Sequence, residues 1–213
     1  MDLDKKSRIK EILKRLDNEY GSDVRVYLNH DNAWQLLIAT ILSAQCTDDR
    51  VNKVTVHLFK KYPDLESFAN AEQKEMEKDI HSTGFYTNKA KNIIGAAKML
   101  IEEYDGEVPK DIDELTRLPG VGRKTANVVR GNIYDIPSIV VDTHVKRLSN
   151  RLGLTKNTDP VKIEFDLMKC IPKDHWIAIN IQLIALGRTI CTARSPKCEE
   201  CFLGDVCPYF KKR

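Results

Sequence analysis

The sequence predicts an all-α fold, and three observations lead to this prediction. Apolar residues recur three and four positions apart along most of the chain, the spacing that places them on one face of a helix. Glycine and proline interrupt this pattern at short intervals, as expected where short loops join successive helices. The run most typical of a strand, Ile139 to Val141, is too short to build a sheet.

Three amphipathic segments come first along the chain. Their apolar positions are Ile9, Ile12, Leu13 and Leu16 in the first, Trp34, Leu37, Ile38, Ile41 and Leu42 in the second, and Val51, Val54, Leu58 and Phe59 in the third. Thr47 or Asp48 is placed to cap the third helix. The same pattern predicts further helices at about 72–80, 87–104, 111–117, 123–134, 143–152, 159–170 and 174–187.

The composition is typical of a globular protein with a buried core. The chain has 213 residues, of which 31% are charged and 42% are apolar. No uncharged apolar run approaches the ~20 residues that a membrane-spanning helix requires. The N-terminal stretch MDLDKKSRIKEILKRL is charged and helical in pattern, unlike a secretion signal. We therefore expect a cytoplasmic protein whose six cysteines are reduced rather than paired.

Positive charge is concentrated in two segments of the chain. Residues 120–151 contain six Lys and Arg against two Asp and Glu, and residues 188–213 contain six against three. Residues 1–119, in contrast, contain 18 basic against 22 acidic residues. Clusters of Lys and Arg supply most of a protein's non-specific affinity for nucleic acid, so a phosphate-binding face is one interpretation. Random scatter of charge is the other.

The stretch DIDELTRLPGVGRKTANVVRGNIY predicts a helix, a tight turn and a second helix. Pro119 ends the first helix, and Gly120 and Gly122 permit conformations and close approach that a Cβ would forbid. The second helix is predicted to begin near Arg123, so N–H groups without helical partners point out of the turn. Such a turn suits a phosphate oxygen. A plain corner between helices remains the alternative.

Lys124 lies in the first turn of that second helix, where the helix dipole disfavours positive charge. This position and the neighbouring Arg123 favour the neutral amine, which is the form that a nucleophilic lysine requires. A contact with phosphate or solvent explains Lys124 equally simply. Asp142, directly after an apolar run, is placed to cap the next helix, and the capping N–H groups would keep its carboxylate ionised.

The C-terminal stretch CTARSPKCEECFLGDVCPYF spaces four cysteines as C-x6-C-x2-C-x5-C. They are Cys191, Cys198, Cys201 and Cys207. Four thiolates suit a structural zinc ion, and they equally suit an iron–sulfur cluster. The spacing alone leaves both open, whereas disulfides are disfavoured by the expected compartment.

LPGVGRKTANVV resembles the helix–hairpin–helix DNA-binding motif in the form that it takes in the endonuclease III family of DNA glycosylases. LLIATILSAQCTD, STGFYTNKAKNI, VDTHVKRLSNRLG and the four-cysteine C-terminus are similar to that family in the same order. The resemblance covers essentially the whole chain. It implies a two-domain, all-α helix–hairpin–helix DNA glycosylase fold with a cleft between the domains.

By this resemblance, a six-helix barrel domain spans residues 26–136 and carries the motif at about 111–134. An iron–sulfur cluster domain combines residues 1–25 with 137–213 and carries the cluster loop, 191–207. Lys124 and Asp142 are then expected to face each other across the cleft. The four cysteines are expected to hold one [4Fe–4S] cluster rather than zinc, chiefly in a structural role.

The resemblance implies a bifunctional DNA glycosylase and AP lyase of base excision repair. The enzyme is expected to excise oxidised or ring-saturated pyrimidines from double-stranded DNA after the nucleotide is flipped out of the duplex. Lys124 attacks C1′ and forms a Schiff base, and β-elimination then nicks the strand. Asp142 activates the nucleophile and stabilises positive charge on the sugar. We expect a monomer that acts at the nucleoid, without a membrane.

The resemblance also implies which residues contact DNA. Gln45 and Phe85 are expected to enter the gap left by the flipped base, although many relatives carry leucine at the position of Phe85. A helix C-cap contact for Gln45 and a core position for Phe85 are the alternatives. His144 either lines the pocket or bonds the backbone. The full set of expected DNA contacts is Gln45, Phe85, Gly120, Gly122, Arg123, His144, Arg147, Arg194 and Lys197. Some relatives carry a further lysine where this chain has Ser195, so one phosphate contact is expected to be weaker.

Three other functions compete with this interpretation. A mismatch or photoproduct glycosylase could share the fold, although the family's adenine and thymine mismatch enzymes generally lack a lysine at the position of Lys124. A non-enzymatic iron–sulfur protein could bind DNA as a sensor or scaffold, with no need for Lys124 and Asp142. A zinc-binding DNA module is the third, and the colour of the purified protein would distinguish it.

Overall fold

The computed structural model describes residues 4–212 and, within them, confirms the all-α prediction. Regular structure in this part of the chain consists of eleven α-helices and five short 3-10 turns, without a strand. The α-helices are α1 (Lys5–Tyr20), α2 (Ala33–Leu42), α3 (Asp48–Lys61), α4 (Leu65–Ala69), α5 (Gln73–Asp79), α6 (Tyr86–Tyr104), α7 (Ile112–Arg117), α8 (Arg123–Tyr134), α9 (Thr143–Arg151), α10 (Pro160–Cys170) and α11 (Trp176–Thr189). No helix in the described range is both long enough and apolar enough to cross a membrane.

Short polar side chains determine where several helices begin. Asp4 accepts hydrogen bonds from the backbone N–H groups at the start of α1. Thr47, not Asp48, caps α3 by accepting from the N–H of Arg50 at 3.3 Å. Asp159 caps α10, whose first residue is a proline that needs no N–H partner. Each cap satisfies donors that would otherwise be unpaired.

The described residues group into two compact units. One contains residues up to Val26 and from Ile136 onward, with α1 and α9–α11, and the other is Tyr27–Asp135, with α2–α8. In the first unit, all four predicted apolar positions of α1 are buried and pack in one cluster with residues of α9, α10 and α11. The amphipathic pattern therefore placed this helix correctly.

Helix α4 was not predicted from the sequence, and it brings the number of α-helices in Tyr27–Asp135 to seven. Its five residues are too few to show a period or to be stable alone. Tertiary contacts stabilise it instead, because the fully buried Phe68 packs edge-on against Trp34 and Phe59, with ring centroids 5.7 and 6.3 Å away. A capping box between Asp64 and Ser67 satisfies its first turn.

His175 connects α1 to the residues that precede α11. Its Nε2 lies 2.8 Å from Asp17 Oδ2 and its Nδ1 lies 2.9 Å from Asp174 Oδ1. Both ring nitrogens can donate only when the imidazole is protonated. Burial opposes that charge, but the hydrogen bonds to Asp174 and Asp17 outweigh it and raise the pKa of His175.

We predict that this contact stabilises the fold in a pH-dependent way. The contribution is complete below the pKa of an unfolded histidine, about 6.5, and is lost as pH rises through the higher folded pKa. The thermal midpoints of wild type and His175→Gln should therefore differ most at about pH 6 and least at about pH 8. The corresponding difference in the free energy of unfolding should be at most about 1 kcal/mol, because the side chains are partly exposed. A difference that is constant across this range would contradict the prediction.

Candidate functional site

The predicted hairpin is present between α7 and α8. Helix α7 ends at Arg117, and Leu118 takes the extended backbone conformation that a following proline favours. The N–H of Val121 donates to the carbonyl of Leu118 at 3.0 Å and closes the turn. Helix α8 begins at Arg123, as predicted, and no side chain caps its N-terminus. Its first turn is therefore open to an anion.

The two glycines of the hairpin have different physical roles. Gly120 has a φ of +77°, and a Cβ there would lie 2.8 Å from the Cβ of Asn92. The fold itself therefore requires glycine at position 120. Gly122 has an ordinary φ of −94°, and a Cβ there would meet no atom of this protein within 4 Å. Glycine at position 122 thus leaves space outside the fold, next to the N-terminus of α8.

Lys124, the second residue of α8, is exposed. Its ammonium forms no hydrogen bond or ion pair with any residue of the range 4–212. The helix is held in place from its other face, where Ala126 and Val129 are buried. A fixed helix with an unengaged amine at its start is suited to contact a ligand from outside.

Asp142 caps α9, as predicted from the sequence. Its Oδ1 accepts a hydrogen bond of 2.8 Å from the N–H of Val145, and the side chain is half-buried. This bond fixes the rotation of the carboxyl group, which leaves the second oxygen in a defined direction. Asp142 belongs to the unit that contains α9, whereas Lys124 belongs to Tyr27–Asp135.

His144 is half-buried on the first turn of α9. Burial lowers its pKa, Asp142 opposes that effect, and Arg147 and Arg188 add to it. A Nη2 nitrogen of Arg147 lies 3.2 Å from His144 Nδ1. The neutral ring is therefore favoured, with Nδ1 as acceptor.

Arg147 was predicted to contact DNA, and the structure gives it a role that the sequence did not indicate. Its Nη2 donates to the backbone carbonyls of Gly187 at 3.2 Å and Cys191 at 3.1 Å. Gly187 must be glycine, because a Cβ there would overlap the ring of His144. These contacts fix α9 against the end of α11.

Gln45 and Phe85 lie in two loops of the unit Tyr27–Asp135, and both have a left-handed backbone, with φ of +53° and +49°. This conformation is costly for residues other than glycine, by about 1 kcal/mol or more, and such residues concentrate at functional sites. Phe85 is 62% exposed, which contradicts the core alternative for this residue. Gln45 is also exposed. Two strained loops thus present side chains to the outside.

The four predicted ligand cysteines line one open-sided pocket. None of them forms a disulfide. A single zinc ion requires four sulfurs at about 2.3 Å from one point. Among residues 4–212, however, no three His, Cys, Asp or Glu side chains converge closely enough to hold one metal ion.

The cysteine pocket changes the acidity of two of its thiols. Burial raises the pKa of the Cys201 and Cys207 thiols, as expected for sulfurs away from water. The backbone N–H groups of Leu203 near Cys201, and of Tyr209 and Phe210 near Cys207, act in the opposite direction, but burial has the larger effect on the pKa of both thiols. N–H···S bonds of this kind tune iron–sulfur ligands.

Arg151, in the last turn of α9, was not among the predicted site residues. Its Nη1 donates to Cys191 Sγ at 3.2 Å and to the Thr192 carbonyl at 2.7 Å, and its Nη2 donates to the Ala193 carbonyl at 2.9 Å. Its guanidinium also lies over the Tyr209 ring, 4.7 Å from the centroid. The partners are about 40 residues away, so no local sequence pattern could have identified them.

The loop before Cys198 carries the two remaining predicted DNA contacts. Arg194 and Lys197 are both exposed, and Lys197 is paired with Glu200 at 3.7 Å. Thr192 donates to the Ser195 carbonyl at 2.7 Å, so the loop is closed by its own hydrogen bonds. An exposed ion pair of this length contributes little, and Lys197 can exchange Glu200 for a phosphate.

Comparison with known proteins relates these features to one family. Residues 38–173 match the model of the HhH-GPD superfamily of base excision DNA repair proteins. Residues 191–207, which contain the four cysteines, match the iron–sulfur binding domain of endonuclease III. The second match identifies the cysteine pocket as an iron–sulfur site.

Individual relatives cover nearly the whole chain. Endonuclease III of Synechocystis sp. is 55% identical over 205 residues, which cover 96% of this chain and 93% of the relative. Endonuclease III of Bacillus subtilis is 50% identical over 187 residues, which cover 87% and 85%. A solved structure of a trapped endonuclease III–DNA covalent intermediate has a TM-score of 0.92 at 46% identity and covers 99% of each chain.

We predict that Arg151 helps to retain the iron–sulfur cluster. Arg151→Lys keeps the charge but loses the forked donor that reaches Cys191 and two carbonyls, so iron should be lost to a chelator about tenfold faster than from wild type. Iron content and visible absorbance over time measure this rate. Lys146→Ala, on the exposed side of the same helix, is the matched control. Equal rates for Arg151→Lys and wild type would refute the prediction.

Proposed function

The chain belongs to the endonuclease III family of base excision DNA repair enzymes, and we propose that its DNA glycosylase and AP lyase activity removes oxidised or ring-saturated pyrimidines from duplex DNA. The observation that carries this proposal is Lys124. It is an exposed amine without a partner among residues 4–212, held in the first turn of α8, directly after a hairpin with an uncapped helix start. A lysine nucleophile needs both this access and this fixed position.

The proposed reaction starts with the damaged nucleotide outside the duplex, where its sugar carbon can be reached. Neutral Lys124 attacks C1′, the N-glycosidic bond breaks, and the base leaves with the bonding electron pair and takes up a proton. The sugar ring opens to give a Schiff base between Nζ and C1′. Loss of a proton from C2′ then expels the 3′ phosphate by β-elimination, and water hydrolyses the imine to release the enzyme.

We assign Asp142 an electrostatic role in this reaction. Its carboxylate is fixed by the N–H of Val145, so it is preorganised rather than mobile. A preorganised negative charge stabilises the positive charge that develops on the sugar as the base departs, an effect worth about 3 kcal/mol in comparable sites.

We propose that the cysteine pocket holds one [4Fe–4S] cluster, with Cys191, Cys198, Cys201 and Cys207 as its ligands. Four cysteines of one short C-terminal segment that line one pocket, and the match of that segment to an iron–sulfur binding domain, support this type of cluster. Its contribution is to fix the loop that carries Arg194 and Lys197. Those two exposed side chains and the half-buried Arg123 would contact phosphates, since basic groups displace condensed counterions.

Gln45 and Phe85 are proposed to fill the gap that the flipped nucleotide leaves. Both are exposed on strained loops, and an aromatic ring can stack on the neighbouring bases. An abasic site or a damaged pyrimidine in double-stranded DNA is therefore the expected partner. We expect the enzyme to act as a monomer at the nucleoid.

Borohydride trapping tests the nucleophile and the substrate together. Wild type should form a covalent adduct with a duplex that contains thymine glycol, because borohydride reduces the Schiff base to a stable amine. Lys124→Arg should lose trapping and reduce cleavage about a thousandfold or more, since a guanidinium keeps the charge but does not form an imine. Lys98→Ala, an exposed residue of α6, should behave as wild type.

The outcomes separate the parts of the proposal. Retained activity in Lys124→Arg would mean that Lys124 contacts phosphate and is not the nucleophile. Trapping on an abasic duplex but not on thymine glycol would keep the lyase and refute the oxidised-pyrimidine assignment.

The two hairpin glycines provide a second prediction, because only one of them is required by the fold. Gly120→Ala should lower stability by about 1–3 kcal/mol, since it combines a positive φ with a steric overlap at Asn92. Gly122→Ala should leave the thermal midpoint unchanged but weaken binding to an abasic-site duplex by about tenfold, if a phosphate occupies the space beside it. Unchanged binding by Gly122→Ala would show that no phosphate approaches there.

A further inference from the structure

Lys89 is a buried cation that the reaction described above does not use. Only 4% of the residue is exposed, although lysine is rarely buried to this extent. No carboxylate pairs with its ammonium among residues 4–212. Burial lowers the pKa of Lys89, while Cys46 opposes this effect. A buried ammonium without a counter-ion is costly, so its hydrogen bonds must be important for the structure around it.

The Lys89 ammonium connects two helix ends that are far apart in the sequence. Its Nζ donates to the carbonyl of Leu42 at 2.7 Å and to the carbonyl of Thr83 at 2.8 Å. Leu42 is the last residue of α2, and Thr83 is the last residue of the 3-10 turn His81–Thr83. Carbonyls at helix C-termini lack helical partners and carry partial negative charge, so both suit a cation.

Each of these two carbonyls lies directly before one of the strained loops. Gln45 follows Leu42 by three residues, within a turn that is closed by the N–H of Cys46 and the carbonyl of Ser43 at 3.1 Å. Phe85 follows Thr83 by two residues. One ammonium therefore holds the starting points of both loops, and it does so from the first turn of α6, at whose N-terminus Phe85 lies.

We propose that Lys89 is a positioning residue that couples the Gln45 loop to the Phe85 loop, so that the two side chains enter the DNA duplex as one unit. This inference rests on the proposed function, because it assumes that both loops fill the gap beside a flipped nucleotide. Lys89 itself does not touch DNA. It acts by keeping two left-handed turns at a fixed separation, which neither loop provides alone.

The matched variants are Lys89→Met, Lys89→Gln and Lys98→Met. Methionine has a similar length but cannot donate, so it releases both carbonyls. Glutamine is neutral but carries two N–H donors, and it should retain part of the connection. Lys98→Met makes the same substitution at an exposed position of α6 and should match wild type. If Lys89→Met does not fold, Lys89→Gln carries the test.

Hydrogen exchange tests the connection directly, without DNA. In Lys89→Met, amides of residues 43–46 and 83–86 should exchange faster together, while the rest of α6 stays protected. Faster exchange in one loop only, or throughout Tyr27–Asp135, would refute the coupling.

Activity on two substrates tests its consequence. With an abasic duplex, Lys89→Met should lower cleavage about tenfold to a hundredfold, because a small displacement of the inserting groups misplaces the sugar. With a single-stranded abasic oligonucleotide there is no gap to fill, so cleavage should be close to that of wild type. Gln45→Ala and Phe85→Ala should likewise lower cleavage of the abasic duplex and leave cleavage of the single strand close to that of wild type. In the Lys89→Met background, each should cause a much smaller further loss, since the coupled unit is already disrupted.

The possible results separate this inference from the proposed function. Equal losses on duplex and single strand, no loss on the duplex, or losses that add fully with Gln45→Ala would each overturn the role of Lys89 alone. A wild type that cleaves neither substrate would overturn the proposed function and this inference with it. Loss on the duplex alone, with non-additive effects, would establish Lys89 as the link between the loops.

Discussion

Carbonyl groups at helix ends need hydrogen-bond donors, and in this protein basic side chains from distant parts of the chain supply them. Lys89 donates hydrogen bonds to carbonyls at the ends of α2 and of the His81–Thr83 turn, and Arg147 donates to a carbonyl near the end of α11. Arg151 donates to carbonyls in the segment that follows α11, and Arg8 donates to the carbonyls of Leu152 and Gly153 after α9. A short helix has few intrahelical bonds relative to its unpaired ends, so a fold of many short helices depends on such donors.

This dependence explains how much the sequence could predict. The hairpin around Pro119, the start of α8 and the cap at Asp142 follow from residues a few positions apart, and all three are present in the structure. The roles of Lys89 and Arg151 depend on partners 47 and about 40 residues away, which a single sequence does not reveal. Helix α4 escaped prediction for the same reason, because the packing of its aromatic side chain stabilises it rather than its own periodicity.

Several locally unfavourable features of the unit Tyr27–Asp135 lie at or near the expected DNA contacts. Gln45 and Phe85 have left-handed backbones, Lys89 is a buried cation without a carboxylate, and α8 has no side-chain cap at its N-terminus. Each of these features costs stability and is uncommon in a purely structural region. All of them lie in one unit, Tyr27–Asp135. This part of the fold therefore contains destabilising features that keep two loops in fixed conformations and leave the N–H groups at the start of α8 without a side-chain cap.

Helix α9 provides the corresponding constraint in the other unit. Its nine residues follow the cap Asp142 and end at Arg151, which bonds Cys191 and the loop after it. Arg147, between them, bonds the Cys191 carbonyl from the same helix. Because a short helix moves as a rigid body, the direction of the Asp142 carboxyl depends on how the cysteine loop is held. Under the proposed roles of the cysteines and of Asp142, any loosening of the cysteine loop would release the far end of the helix that carries the carboxylate and so affect catalysis.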